Sequence, residues 1–499
     1  MTTTLNCATG TLTPYVSTPQ MPWNQRRVAH LVRRMGFGAT PQQITEMLDA
    51  VQSPTQLVDN IIDTAANKPL PTEPEWGDWA LSNYDEDMVG EQTVQQVYEW
   101  LDNWMMRMLS ANNFREKLEL FWHNHFVTRL DDYRCPSYMY QYHKILMTHC
   151  MGNFKTFTHA MGTTPAMLVF LNGVQNTRFE PNENYGRELL ELFTLGQDNN
   201  YTQADIVDAA RALTGWNGFS EACAAIDFLE QAHDNGEKTI FGQTGNWNYD
   251  DLHDLIFEHR ANEVAQNICT KLYKHFVNPE IDQAIIDELA TTFIANDFEL
   301  LPVYRQLFKS EHFFDEYNME VQVKSPIEII LHFIKDFDFP IENYFDPALN
   351  YNQLLNQLYF FSAAIGQELF NPIDVSGWDG NRNWINSNTL VARWQVPQFY
   401  AGTSYEQFRY VLVDFAKNIS NNSTDPEYIT QLIINHSIPA GLQTPADYER
   451  ATVVFKSDYV PSNYFEDGTW SLDYNEDVVG AQVALLLAHI GQIPEFQLV

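Results

Sequence analysis

Apolar residues recur at helical spacing along most of the chain. Between residues 261 and 276, Ala261, Val264, Ala265, Ile268, Leu272 and Phe276 follow one another at steps of 3, 1, 3, 4 and 4, one face of a helix. Ile285, Ile286, Leu289 and Phe293 repeat the pattern. Thr202-Gln-Ala-Asp205 has the form of a capping box; Ile206, Ala209, Ala210 and Leu213 follow, and Gly215 supplies a stop. Alternating strand-like runs are scarce, and one short hairpin is expected near Lys238 to Phe241. The most apolar segment, Val478 to Ile490, is too short to span a bilayer and carries Gln482 and His489, so it predicts a buried core helix. The fold class expected is all-α: one large helical body of many packed antiparallel helices with long irregular loops, over residues 23–499. Residues 1–22 are polar and predict an extended N-terminal arm, and residues 418–425, rich in Asn, Ser and Thr, predict a loop.

Composition narrows the function. Of 499 residues, 44% are hydrophobic, enough to fill a sizeable core. Aromatics make up 14%, which suits core packing first and flat ligands such as sugar rings second. The 65 acidic and 29 basic side chains leave a net charge of −36. That field repels phosphate backbones and anionic membranes, so no nucleic acid partner is expected, while cations such as Ca²⁺ are attracted. The five cysteines are widely spaced, without Cys-x-x-Cys, which excludes a zinc ribbon or dense disulfide framework and leaves a single bridge open. Cys269 falls on an apolar stripe and should pack as a small hydrophobe. The first residues lack a basic stretch followed by an apolar run, so no signal peptide is expected in the sequence as written.

Four segments carry candidate chemistry. In Phe121-Trp-His-Asn-His-Phe126 a helix puts His125 within the apolar stripe of Phe114, Leu118, Phe121 and Trp122, and His123 on the far side. The two cannot then share one metal, and His125 is the better base. In the segment from Asn182 to Gly196, Asn182 suits an N-cap and Gly196 a stop. Glu183, Asn184, Arg187, Glu188 and Glu191 make its polar side, either a solvated face with i,i+4 ion pairs or a row of carboxylates and an Arg facing a cleft. His233-Asp-Asn-Gly-Glu-Lys238 gathers a His, an Asp and a Lys around a glycine, as an irregular loop would. Finally, Val28, Leu31, Val32 and Met35 should face inward, with Arg26, Arg27, His30, Arg33 and Arg34 opposite, paired with the chain's own carboxylates or holding an anionic partner. Two acidic stretches, Asn83 to Gly90 and Asp473 to Gly480, echo each other. Both lack the glycine and the bidentate glutamate of a calcium loop and suit helix capping. Nucleophile-elbow, His-Glu-x-x-His and dinucleotide-loop motifs do not occur.

Together with His30-Leu-Val-Arg-Arg-Met-Gly-Phe-Gly38, Ala212-Leu-Thr-Gly-Trp216, Lys324-Ser-Pro-Ile-Glu328 and Gly377-Trp-Asp-Gly-Asn-Arg-Asn-Trp-Ile385, these segments resemble the bacterial domain-of-unknown-function 1800 family. The resemblance implies exported or envelope-associated proteins and supplies no catalytic residue. Two functions follow. In the first, His125, Glu183, Arg187, Glu188, His233, Asp234 and Lys238 converge on one pocket of a hydrolase or lyase acting on an envelope or extracellular polymer. A divalent cation is a possible cofactor there. In the alternative, the same groups form a structural network in a non-catalytic envelope or assembly protein that binds a partner protein, a glycan or its own copies.

Overall fold

Side-chain caps set many of the helix boundaries. A helix leaves its first N–H groups without intrahelical acceptors, and an Asn, Asp, Ser or Thr at the N-cap accepts one of them. Asn24 takes Arg27 N–H at the head of Gln25–Arg34, Thr202 takes Asp205 N–H at Gln203–Ala212, and Asn475 takes Val478 N–H at Glu476–Ile490. Ser325 and Glu328 close a full capping box at Pro326–Asp336. The computed structural model describes residues 10–50, 53–85, 87–218, 223–341, 345–346 and 351–499. Over those residues it is 61% helical, with 22 helices, and 4% strand, which makes the fold all-α. Its three sheets are two-residue or three-residue antiparallel hairpins. The hairpin expected near Lys238 forms: Lys238–Ile240 pairs with Gln243–Gly245, with Lys238 opposite Gly245.

One apolar cluster runs from Leu12 to Phe496. A smaller one, Val28, Ala29, Val32, Ala39 and Ile44, joins Gln25–Arg34 to Pro41–Ala50. The described part of the arm, from residue 10, lies extended along residues 309–312: Tyr15 N–H donates to Lys309 O at 2.7 Å and Glu311 N–H to Thr13 O at 2.8 Å. The buried Tyr15 ring anchors it. The long helix Thr389–Ser420 kinks at Phe408 and packs along Glu476–Ile490. The apolar 478–490 segment is largely buried, with Leu485 on its exposed side, and Gln482 is held by Trp470 Nε1 and by Lys456 O, each at 3.0 Å. The loop expected over 418–425 starts three residues later, because the buried Leu412, Phe415 and Ala416 carry the helix on to Ser420 before Asn421 turns left-handed.

Gln25–Arg34 is buried on both faces rather than one. Arg27, His30, Arg33 and Arg34 lie inside with the apolar residues. Arg26 and Arg27 pair with Glu316, Arg26 also with Glu320, and Arg33 with Asp336, as the acidic composition suggests; Arg34 instead donates to the Val277 carbonyl at 2.9 Å. Phe114–His125 is likewise buried nearly all round, His123 included. Cys135 and Cys223 form a disulfide across 88 residues, while Cys150 and Cys269 are buried thiols. Among the described residues no helix is long and apolar enough to cross a membrane.

Candidate functional site

The segment from Asn182 to Gly196 is capped at both ends as its sequence predicts: Asn182 accepts Asn184 N–H at 2.9 Å, and Gly196 has φ +98°. Between the caps it changes type. Glu183–Glu188 is α-helical and Leu189–Thr194 is a π-helix, closed by Leu195 N–H on Leu190 O at 2.9 Å. A π-turn displaces carbonyls from the α-helical ladder, and such turns often mark functional positions. Here side chains from two other helices take carbonyls at the C-terminal end of the turn, where the helix has no further N–H to offer. Lys271 Nζ donates to Leu192 O at 2.7 Å, Asn267 Nδ2 to Thr194 O at 2.8 Å, and His125 Nε2 to Phe193 O at 3.2 Å. That bond fixes the His125 tautomer and leaves Nδ1 to accept from Lys271 at 3.2 Å. Burial and then the Lys271 charge hold His125 well below the ordinary imidazole pKa, and burial lowers the Lys271 ammonium to about 8. His123 faces elsewhere, accepting Phe370 N–H at 3.0 Å and meeting Tyr142 Oη at 2.7 Å.

The polar side of Glu183–Glu188 is half-exposed. Arg187 bridges Glu183 at 3.0 Å and Glu191 at 3.3 Å, and reaches Gln203 at 3.2 Å on the next helix. Gly186 permits that approach, since a Cβ there would stand 3.0 Å from Ala210 N. Glu188 is half-buried; burial, then the Glu191 charge, raises its carboxyl pKa against the pull of Arg187.

The loop 233–238 is clamped to the other end of Gln203–Ala212. His233 Nδ1 donates to Thr214 O at 2.9 Å, and Asp234 N–H donates to Thr214 Oγ1 at 2.8 Å. Arg211 Nε donates to Asp234 at 2.7 Å, and its Nη1 to Asp208 at 2.8 Å and to Glu237 O at 3.0 Å. Burial favours the neutral Asp234 acid, but Arg211 and the Gly236 N–H outweigh it and hold the carboxyl below its usual pKa. Lys238 caps the loop carbonyls of Asp234 and Gly236, and burial lowers its pKa against the attraction of Asp234.

The seven candidates therefore fall into three groups: His125 with Lys271, Glu183 and Arg187 with Glu188 beside them, and His233, Asp234 and Lys238 with Arg211. Gln203 and Arg211 are eight residues apart, so the last two groups sit about 12 Å apart along one helix axis. No side-chain hydrogen bond or ion pair among the described residues joins one group to another. No set of three or more His, Cys, Asp or Glu among them is placed to hold a metal ion. Two open grooves lie elsewhere. One of about 1130 Å³ runs beside Glu46, Asp49, Asp338 and Asp414, and one of about 710 Å³ beside Glu427, Tyr448 and Lys456.

Residues 30–498 match the family described as a protein of unknown function, DUF1800. The chain belongs to that family. No curated protein and no solved structure matches it. In this DUF1800 chain the segments from His30 to Gly38 and from Lys324 to Glu328 meet in the interior, where Lys117 Nζ contacts both Arg33 O and Glu328. Lys271, Asn267 and His332 stand outside the segments that composition and motifs single out. Asn267 and Lys271 stand four apart beside the apolar stripe of their helix, and Lys324, Glu328, His332 and Asp336 stand every fourth residue, so spacing is the signal that marks them.

Proposed function

We propose that the chain is a non-catalytic helical body that engages a basic protein partner in an oxidising compartment outside the cytoplasm. One observation carries this over a hydrolase or lyase: six of the seven candidate side chains are hydrogen-bonded within their own group, and two large grooves open away from them. A catalytic cleft would instead aim such groups at a shared space. The Cys135–Cys223 bridge supports the compartment, because disulfides persist where thiols are oxidised. The groove beside Glu46, Asp49, Asp338 and Asp414 supports the partner's charge: all four are exposed, and none is in an ion pair among the described residues.

Decalysine serves as the probe. Replacing the four groove carboxylates by amides should weaken its binding at low salt about tenfold, near 1.4 kcal/mol. Glu188→Ala and His233→Ala should leave that affinity unchanged. Equal binding by the amide variant refutes the groove. Glu188, half-buried and with no side-chain hydrogen bond or ion pair among the described residues, is the remaining foothold for catalysis. Turnover on an ester, amide or glycoside panel that Glu188→Ala abolishes at unchanged melting temperature would reinstate the enzyme.

A further inference from the structure

Asn-Gly occurs three times in the chain, at 172–173, 217–218 and 235–236. The dipeptide has a reaction of its own. The glycine's amide nitrogen, unshielded by a Cβ, can attack the asparagine's Cγ and expel ammonia. Sequence makes the three pairs equivalent, and accessibility alone favours Asn235, since it and Gly236 are both exposed. The step also has a geometric requirement: nitrogen and carbon must approach to about 3–3.5 Å. The three local structures meet it differently.

At 217–218 the nucleophile stands against its target. Gly218 N–H donates to Asn217 Oδ1 at 2.6 Å. A C=O bond spans about 1.2 Å, so Cγ lies within about 3.8 Å of that nitrogen, and a small turn of the carboxamide closes the rest. Asn217 is half-buried, while Gly218 is exposed with φ +120°, so water and base reach its amide. At 235–236 both groups are drawn elsewhere. Gly236 N–H donates to Asp234 Oδ1 at 2.8 Å, and Asn235 Nδ2 donates to Glu230 Oε1 at 3.2 Å. Arg211 in turn holds that Asp234 carboxylate. At 172–173 solvent is shut out: Gly173 is buried, and a Cβ on it would stand 2.9 Å from Leu168 Cδ2.

We propose that Asn217 is a self-modifying residue, the Asn-Gly pair that the fold sets up to deamidate. The Gly218 nitrogen gives its proton to solvent base and forms a bond to Cγ; the Cγ–Nδ2 bond breaks, and ammonia leaves with a proton taken from water. Water then opens the five-membered imide at either carbonyl, leaving aspartate or isoaspartate at 217. The net change is amide plus water to carboxylate plus ammonium. The product disturbs its surroundings. Asn217 pairs with Asp227 across the hairpin, so the reaction sets like charges opposite each other. Isoaspartate also adds a backbone atom to a strand whose register is set residue by residue. Phe228, next to Asp227, packs its ring 5.6 Å from that of His233, so the reaction loosens a wall of the 233–238 loop. None of these residues lines the acidic groove.

Peptide mapping by mass spectrometry tests this on the whole oxidised chain, incubated in mildly alkaline buffer. The Asn217 peptide should gain about 1 Da, about tenfold or more faster than the peptides holding Asn235 and Asn172. In guanidinium chloride, with the disulfide reduced, the three rates should converge, which isolates the fold as the cause. Faster reaction at Asn235 in the folded chain overturns the proposal, as do equal rates at the three sites or no reaction at Asn217. Asn217→Asp carries the charged product from the start, and protease should cut residues 226–233 sooner in it than in the wild type. Asn217→Gln, which keeps the amide but needs a six-membered ring to react, should digest like the fresh wild type and gain no mass. Equal digestion of Asn217→Asp and wild type refutes the loosening.

Discussion

Acidification from about pH 7.5 to about pH 5 should remove most of the protein's stability, because its interior holds neutral imidazoles. His30, His123, His125, His253 and His332 are all at most 5% exposed. Burial is the largest cause for each and lowers the pKa, to about 3 for His123 and about 4 for His253, and well below the ordinary value for the other three. Unfolding returns each ring to water, where its pKa is about 6.5. Between that value and the folded pKa the unfolded chain binds a proton that the folded chain refuses. Stability therefore falls as pH drops through this window. From about pH 7.5 to about pH 5 each ring contributes about 2 kcal/mol of loss, and five contribute about 10 kcal/mol. That is comparable to a whole native stability of about 5–15 kcal/mol. Lys324, lowered to about 7, acts in a different window: its effect develops between its folded pKa and the unfolded one near 10.5, so it adds no slope below about pH 7. Urea unfolding followed by tryptophan fluorescence at the two pH values measures the difference. His253→Phe should shrink it by about 2 kcal/mol. Equal midpoints at both pH values, or no change in the His253 variant, would refute the burial of neutral rings as the cause.

Replacing Cys135 and Cys223 together by Ser should cost about 2–5 kcal/mol, because the bridge closes a long loop; a melting temperature insensitive to reductant would contradict this. Gly162→Ala would drive a methyl group into the hydroxyls of Tyr185 and Tyr249, and should lower stability by about 1–3 kcal/mol, with partial recovery in Gly162→Ala/Tyr185→Phe. No recovery would mean that the backbone, not the ring, sets the limit. Arg211→Ala removes the guanidinium that ties Asp234, Asp208 and Glu237 O together, so it should cost about 1–3 kcal/mol and open the 233–238 loop to protease. Wild-type digestion of that loop would show that the clamp is not what orders it.

What could be read from the sequence is what neighbours in sequence decide. The Thr202 capping box, the Asn182 cap and the hairpin at Lys238 each depend on residues a few positions apart, and all form; of the two acidic stretches read as helix caps, Asp473 to Gly480 caps through Asn475, whereas Val89–Leu109 begins at Met88 without a side-chain cap. The π-turn was not legible. Leu189 to Thr194 carries an ordinary helical pattern, and the side chains that donate to its end carbonyls are those of His125, Asn267 and Lys271, 68 to 79 residues away. The same holds for the basic helix. Its stripe of Arg and His looks like a surface because periodicity records only one apolar face. Whether the other face meets water depends on Asp336, 303 residues downstream, and on what packs above it. The disulfide pairing was equally out of reach, since spacing alone does not select one pair among five cysteines.

This division explains why the segments that mark the DUF1800 family say so little about chemistry. Of those segments, His30 to Gly38, Phe121 to Phe126 and Lys324 to Glu328 lie almost wholly inside, where Lys117 ties Arg33 O to Glu328 and Tyr142 meets His123. Removing one partner of a buried ion pair such as Arg33–Asp336 or Lys117–Glu328 costs about 3–5 kcal/mol, whereas a half-exposed pair such as Arg187–Glu183 is worth about 0–1 kcal/mol. A motif residue in this interior is then constrained by folding before any ligand is considered. Loss of a phenotype in an Arg33, Lys117 or Glu328 variant therefore carries no catalytic meaning unless the variant melts like the wild type. By contrast Glu188, half-buried and cheap to replace, is a position where lost function at full stability would point to chemistry.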